Sequence, residues 1–193
     1  KFPHVHLLDT QYRMRRSIAE FSNNYFYEGK IKTIAELEDR GTHLYFYDTA
    51  GTGFEESTGN DGHSLINQGE ADLVLKLIEQ EQLNPEETAI ISPYSGQIGV
   101  LRETLPETFR ISTIDSFQGQ EMQNVIISLV RSNADGTIGF LKDHRRMNVA
   151  MTRAKENLFI IGDSSTISSD PYFSKFLDHS EETGAYRSAW ELM

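Results

Sequence analysis

Four basic residues fall within one short stretch of the C-terminal half: Arg145, Arg146, Arg153 and Lys155. An apolar helical turn through Val149 lies between the two pairs, and a strand-like run, Leu158–Ile161, follows. Arginine suits a phosphate ligand because its planar guanidinium donates paired hydrogen bonds and stays charged. Composition alone favours the alternative, a solvated basic helix face that pairs with some of the 29 acidic residues.

A second segment with useful chemistry runs from Gln11 to Met14, ahead of a predicted helix that ends near Gly29. Tyr12 offers a flat ring to a nucleobase, and Arg13 offers hydrogen-bond donors to a phosphate. Taken alone, the segment is better explained as an ordinary capped helix with a surface arginine.

Two further segments place small polar residues at the ends of predicted strands. Ser92 and Pro93 end one strand and Thr113 ends another, positions from which hydroxyls and backbone groups bind nucleic-acid phosphates. Gly119 permits a close approach of backbone to ligand, and Glu121 is able to accept hydrogen bonds from ribose hydroxyls. Ordinary turns between elements have the same composition, so these segments decide nothing by themselves.

The elements that must position these residues alternate between helix-like and strand-like patterns. Helical spacing of apolar residues occurs around Phe21, Val74 and Leu101. The β-rich runs are His43–Tyr47, Thr88–Ile91, Arg110–Ile114, Val125–Val130 and Leu158–Ile161. Several are apolar throughout, as strands buried on both faces are. The sequence therefore predicts an α/β fold with a mostly parallel sheet and helices on both faces.

Two regions are less regular. Glycine and small polar residues between Asp48 and His63 predict one long loop, which we interpret as a solvated surface insertion. The tail from Asp170 predicts a polar-faced helix with apolar residues around Phe173, followed by an irregular end. Trp190 in that end either packs against the core or docks on a neighbouring module.

Composition limits the possible functions. The 193 residues contain no cysteine, which excludes disulfides, zinc ribbons and thiol catalysis. No signal peptide or membrane span is predicted, so we expect an intracellular protein of the cytoplasm, or of the nucleus if the source is eukaryotic. The net charge of -11 means that any contact with nucleic acid must come from a local basic patch. The first residue is Lys1, so we expect the chain to be a fragment of a larger protein.

In combination and in this order, the segments resemble the second RecA-like domain of superfamily 1 helicases of the up-frameshift type. The matching motifs extend from about residue 7 to residue 163, and they are Gln11–Met14, Phe26–Gly29, Ser92–Gln97, Asp115–Glu121, Val130–Asn133, Gly139–Leu141 and Arg145–Ala154. The resemblance implies a three-layer RecA-like fold of the P-loop NTPase type. It also implies one domain over residues 1–193, with a core at about 5–165 and a C-terminal helical extension at about 166–193.

The resemblance also implies roles for individual residues. Arg13 and Arg153 correspond to two arginines that reach the γ-phosphate of ATP. Tyr12 corresponds to the aromatic residue near the adenine, and Glu121, after Gly119, corresponds to the ribose contact. The residues that correspond to contacts with the nucleic-acid backbone are Ser92, Pro93 and Thr113.

A complete ATPase site is missing from the sequence. There is no G-x-x-x-x-G-K-[ST] loop, and no acidic motif of the Walker B type is predicted after a buried strand. We therefore expect the ligands of Mg²⁺ to lie on a first RecA-like domain of the same parent chain, and no metal site here. The expected substrates are ATP with Mg²⁺ and single-stranded DNA or RNA, and the isolated chain is expected to be inactive.

Two other classes of function remain open at this point. One is a non-catalytic nucleic-acid or protein binding module that retains the helicase fold. The other is a small-molecule α/β enzyme, for which the six histidines show no recognisable spacing with serine and aspartate.

Overall fold

The structure is a computed structural model that describes residues 8–38, 41–59 and 62–193. Its centre is a six-stranded sheet in which every neighbouring pair of strands is parallel. The order across the sheet is β10-β3-β9-β8-β6-β7. These strands are β3 (Leu44–Asp48), β6 (Thr88–Ser92), β7 (Arg110–Thr113), β8 (Met122–Ser128), β9 (Ala154–Gly162) and β10 (Tyr186–Ser188). Four more short strands pair outside it: β1 (Thr10–Gln11) with β2 (Lys32–Thr33), and β4 (Ser57–Thr58) with β5 (Leu65–Ile66).

In the described part of the chain, six α-helices cover both faces of the sheet. They are α1 (Arg16–Tyr27), α2 (Gln68–Gln80), α3 (Ser95–Thr104), α4 (His144–Met151), α5 (Ser164–Ile167) and α6 (Pro171–Glu182). Helices α2 and α3 bury their apolar faces in one core, and the other four bury theirs in a second core on the opposite face. The central strands are consequently buried on both sides, which explains their unbroken apolar runs.

The predicted fold class is confirmed, because a parallel sheet lies between two layers of helices. All five predicted strands are present, with ends that differ by at most four residues; β9, for example, already begins at Ala154. The three predicted helices are also present, although Leu105 lies just beyond the end of α3.

The C-terminal segment is more than a helical extension. In α6, Tyr172, Phe173 and Phe176 are buried in the main core. The chain then adds β10 to the edge of the sheet, beside β3, which the sequence did not predict. A short 3₁₀ turn, Ala189–Leu192, follows, and Trp190 within it remains 59% exposed instead of packing into the core.

The loop between Asp48 and His63 lies at the surface, with Gly51, Gly53, Glu55, Ser57 and Thr58 exposed, but it is also tied to the body of the domain. Phe54 lies directly against Gly69, where an added Cβ would fall 2.2 Å from the ring. The carboxylate of Glu56 accepts hydrogen bonds from Ser132 N at 2.9 Å and from Asn133 Nδ2 at 3.0 Å. These contacts attach the loop to α2 and to the segment after β8.

Candidate functional site

Three charged side chains meet where β8 and β9 begin. Arg13 Nε lies 2.5 Å from Glu121 Oε2, and Lys155 Nζ lies 2.7 Å from Glu121 Oε1. Hydrogen bonds from Lys155 and then Arg13 lower the pKa of Glu121, so this carboxylate is charged at neutral pH. Arg13 also donates from Nη1 to Thr152 O at 3.2 Å. The cluster is partly exposed, with 36% of the Arg13 side chain and 38% of the Glu121 side chain open to solvent.

Arg153 joins the same cluster from the other side. Its Nε donates to Val149 O at 2.7 Å, and its Nη1 donates to Gln120 O at 3.3 Å. Burial, followed by the positive charge of Arg13, lowers the pKa of Arg153. Arg153 and Arg13 thus bind two adjacent residues, Gln120 and Glu121, and the two guanidiniums are close enough to repel one another. An anion placed between two such guanidiniums would relieve that repulsion.

The local sequence explains why these residues converge. Glu121 and Arg153 each directly precede one of two adjacent parallel strands, since Met122 pairs with Ala154. The side chain of Gln11 closes the turn that carries Arg13: its Oε1 accepts from Arg13 N and Met14 N, both at 2.9 Å. The backbone of Arg15 then donates to Lys155 O at 3.0 Å, which fixes the start of α1 against β9.

Tyr12 stands at the rim of this cluster and is 73% exposed. A cleft of about 430 Å³ is lined by Gln11, Tyr12, Arg13, Met14, Glu121 and Lys155. Gly119 adopts a left-handed conformation with φ +83° and has open space around it, but it does not line the cleft. The structure therefore brings together Tyr12, Arg13, Glu121 and Arg153, with Gly119 in the adjoining turn.

The residues predicted to contact nucleic acid lie at the opposite, carboxyl end of the strands. Ser92 and Thr113 are paired across β6 and β7, and Pro93 follows directly. Thr113 and Pro93 are partly exposed, but Ser92 is completely buried, and its Oγ accepts from Tyr94 N at 3.3 Å. A direct contact from the Ser92 hydroxyl is incompatible with this burial, because the hydroxyl faces inward and shapes the turn at the strand end.

Behind this edge lies a buried polar network that the sequence did not reveal. Glu70 is fully buried; its Oε2 accepts from Ser128 Oγ at 2.6 Å and from Val130 N at 2.9 Å. Gln97 donates to Ser128 Oγ at 3.0 Å and exchanges hydrogen bonds with the backbone of Asn67. The network holds Val130 at φ +72°, a conformation that a β-branched residue rarely adopts. The only sequence signal was the position of Gln97 in the Ser92–Gln97 motif.

A family model described as an AAA domain matches residues 2–165. The chain belongs to that family, and within it to the up-frameshift-like superfamily 1 helicases. The helicase domain described above is 33% identical to DNA-binding protein SMUBP-2 of Mesocricetus auratus, covering 98% of this chain and 21% of the relative. It is 35% identical to the Regulator of nonsense transcripts 1 homolog of Arabidopsis thaliana, covering 91% and 16%.

Among solved structures, the helicase domain is similar to the C-terminal domain of a possible DNA helicase from a Lactobacillus strain. The TM-score is 0.47 at 12% identity, with coverage of 93% of this chain and 99% of the other. The chain spans about a fifth of the length of the curated relatives it matches, so the activity of a complete helicase is a matter for proposal.

Two carboxylates follow buried strands of the helicase domain. Asp48 ends β3 and Asp163 follows β9. Asp48 accepts hydrogen bonds from the backbone and hydroxyl of Ser164, both at 2.8 Å. Although burial raises the pKa of Asp163, hydrogen bonds from Ser165 and Ser132 outweigh it and leave that pKa lowered. Both carboxylates therefore serve as anchors for the turn after β9.

Two features are absent from the part of the chain that the structure describes, a metal-binding cluster and a membrane-spanning helix. No group of three or more histidine or acidic side chains is arranged to hold a metal ion among those residues. None of the described helices is long and apolar enough to cross a membrane.

Proposed function

We propose that this chain is the C-terminal motor domain of an ATP-dependent superfamily 1 nucleic-acid helicase, in which Arg13 and Arg153 bind the γ-phosphate of ATP. The observation that carries the proposal is their convergence: Arg13 contacts Glu121 while Arg153 contacts Gln120 O. Two arginines 140 positions apart in the sequence are thus bound to two adjacent residues of the chain. The donor chemistry fits a triphosphate, because the Arg13 guanidinium and the Lys155 ammonium line a cleft of about 430 Å³, and Arg153 is bound to Gln120 O, directly beside Glu121 of that lining.

ATP is the substrate in this proposal, and the Mg²⁺ that accompanies it is held by a first RecA-like domain of the same parent chain. The role of this domain is electrostatic. Arginines that reach the transferring phosphoryl group stabilise its developing charge, an effect on the order of 10³–10⁵ in rate in well-studied cases. Tyr12 presents its exposed ring to the adenine, and Glu121 accepts from the ribose near the turn at Gly119.

The ion pair between Arg13 and Glu121 gives the site two arrangements. Arg13 is held by Glu121 and by Thr152 O. A phosphate competes for the same guanidinium, while Lys155 remains as a partner for the released carboxylate. Closure of two motor domains around ATP would then depend on the difference in affinity for the anion between the two arrangements.

The nucleic-acid partner is proposed to be single-stranded DNA or RNA that lies along Pro93 and Thr113. Both residues are at the carboxyl edge of the sheet, the side on which open α/β sheets bind their ligands. Ser92 contributes by shaping the turn that presents Pro93. The names of the relatives, DNA-binding protein and regulator of nonsense transcripts, support a nucleic-acid partner without deciding between DNA and RNA.

The test is Arg153→Ala and Arg13→Ala in the natural polypeptide that contains this chain. We expect each change to lower strand-stimulated ATP hydrolysis on the order of 10³-fold, with little change in thermal unfolding. Arg16→Ala is the matched control, because Arg16 is a 54% exposed arginine in a long ion pair of 3.6 Å with Glu38. The isolated 193-residue chain is expected to hydrolyse ATP only at background rate.

Two results would contradict the proposal. If Arg153→Ala hydrolyses ATP within twofold of the Arg16→Ala control, the assigned role is wrong. If strand binding persists while neither arginine affects hydrolysis, the chain is a binding module that retains the helicase fold.

A further inference from the structure

Phe140 is an exposed aromatic residue beside the proposed nucleic-acid edge. It is 62% exposed, although Ile138, two positions before it, and Leu141, directly after it, are both buried. The ring centroid lies 5.4 Å from that of Tyr94, with the two planes tilted by 41°. Tyr94 comes directly after Pro93, so Phe140 stands next to the strand end proposed to contact nucleic acid.

The backbone beneath Phe140 is held firmly. Phe140 N donates to Tyr94 Oη at 3.2 Å, which fixes the 3₁₀ turn Gly139–Lys142 onto a tyrosine that is itself only 3% exposed. Gly139 has φ +54°, and a Cβ added there would fall 2.7 Å from Tyr94 Oη and 2.8 Å from Arg131 Nη1. The turn thus has no room to shift inward, and the Phe140 ring is presented outward from a rigid support.

Positive charge flanks this ring. Lys142 and Arg145 follow on the same turn and on the start of α4, and both are exposed. Neither side chain has an ion pair or hydrogen bond with another residue in ranges 8–38, 41–59 and 62–193. Arg146, by contrast, is paired with Asp115. In a chain of net charge -11, two uncompensated cations beside an exposed ring form the local basic patch that a phosphate backbone requires.

We propose that Phe140 is a stacking platform for one base of the bound single strand, with Lys142 and Arg145 holding the adjacent phosphates. The inference rests on the proposed nucleic-acid function and adds a base contact to its backbone contacts. Stacking on an aromatic ring is tolerant of sequence, because every base has a π-face. The occupant is a nucleic-acid base and not a protein surface, because unpaired cations flank the ring where a protein interface would need them neutralised.

The test measures binding of an oligothymidylate and an oligouridylate of about 12 nucleotides by fluorescence anisotropy, with the natural polypeptide that contains this chain. Phe140→Ala is expected to weaken binding roughly tenfold, and Phe140→Trp is expected to retain it. The slope of log affinity against log salt should stay the same for Phe140→Ala. For Lys142→Gln that slope should fall by about 1, because one phosphate contact is lost.

The controls separate this inference from the function on which it rests. Trp190→Ala removes another exposed aromatic residue, which follows β10 at the far side of the sheet, roughly 19 Å away at the four strand spacings between β10 and β6, and should leave binding unchanged. Phe140→Leu keeps apolar cover over Tyr94 but lacks a ring, so it should bind as weakly as Phe140→Ala with unchanged thermal stability. If Phe140→Ala binds like the wild type while Lys142→Gln still lowers the salt slope, the platform is refuted and the proposed function stands. If the wild type binds neither strand, both fail.

Discussion

The buried carboxyl group of Glu70 makes the stability of this domain depend on pH. Burial raises its pKa from 4.5 to about 8, against the opposing effect of hydrogen bonds from Ser128 and Val130. A carboxyl group whose pKa is raised on folding stabilises the native state most at low pH, and that contribution is lost as pH rises through the folded value. The relevant window therefore runs from about pH 4.5 to about pH 8.

The magnitude follows from the two pKa values. At about 1.36 kcal/mol per pH unit, the difference between 4.5 and about 8 corresponds to at most about 5 kcal/mol. Between about pH 5.5 and pH 8.5, the free energy of unfolding should fall by about 3 kcal/mol on account of this group. Glu70→Gln has no charge to lose and keeps an oxygen for Val130 N, so the variant should gain that amount relative to the wild type over the same interval.

The assay is urea unfolding of the 193-residue chain, followed by circular dichroism at several pH values. Each pH gives a difference in the free energy of unfolding between Glu70→Gln and the wild type, and other titrating groups cancel from that difference. Glu79→Gln, an exposed change on the same helix, serves as the control and should show a flat difference. A difference for Glu70→Gln that is also flat with pH would refute the reasoning.

Two other predictions concern the two ends of the strands, the carboxyl ends near Gly139 and the amino ends near Glu121. Gly139→Ala should lower the free energy of unfolding by about 1–3 kcal/mol, since its Cβ would lie 2.7 Å from Tyr94 Oη at φ +54°; chemical denaturation measures this, and an unchanged midpoint would contradict it. Glu121→Gln should change stability by less than about 1 kcal/mol because the pair with Arg13 is partly exposed. In the natural polypeptide that variant should raise KM for ATP more than it lowers kcat, and steady-state kinetics with the opposite division would remove the ribose role.

The strands were predictable because of where they lie. β6, β8 and β9 are covered by helices on both faces, so burial selects uninterrupted apolar runs that are visible in the sequence. β10 has only three residues, all of them half-buried, and lies at the sheet edge, where no such pattern is required. Its pairing with β3 depends on the path of α6, which the local sequence does not encode.

The site was harder to predict from the residues themselves. Arg13 and Glu121 are 108 positions apart, so no spacing rule connects them, and only the resemblance to a family of helicases indicated a shared site. Glu70 was concealed within the apolar stripe of α2, since a buried carboxyl group there resembles an ordinary surface residue in the sequence. Ser92 was misjudged for a related reason: the sequence places it at a strand end without telling which way its hydroxyl points.

Two segments that run side by side connect the carboxyl ends of the strands with their amino ends. One comprises residues 114–121, which pass from the carboxyl end of β7 to the start of β8; the other is α4. Near the carboxyl ends of the strands, Asp115 is paired with Arg146 of α4. Near the amino ends, Gln120 O accepts a hydrogen bond from Arg153, which lies just beyond the end of α4. Helix α4 has eight residues and is roughly 12 Å long. If α4 moves together with Arg153 when an anion binds, Asp115 and the turn that follows Thr113 should move as well, because both ends of α4 are bound to that segment. If the anion changes the affinity for single-stranded nucleic acid by some factor through this turn, then by linkage the nucleic acid must change the affinity for the anion by the same factor.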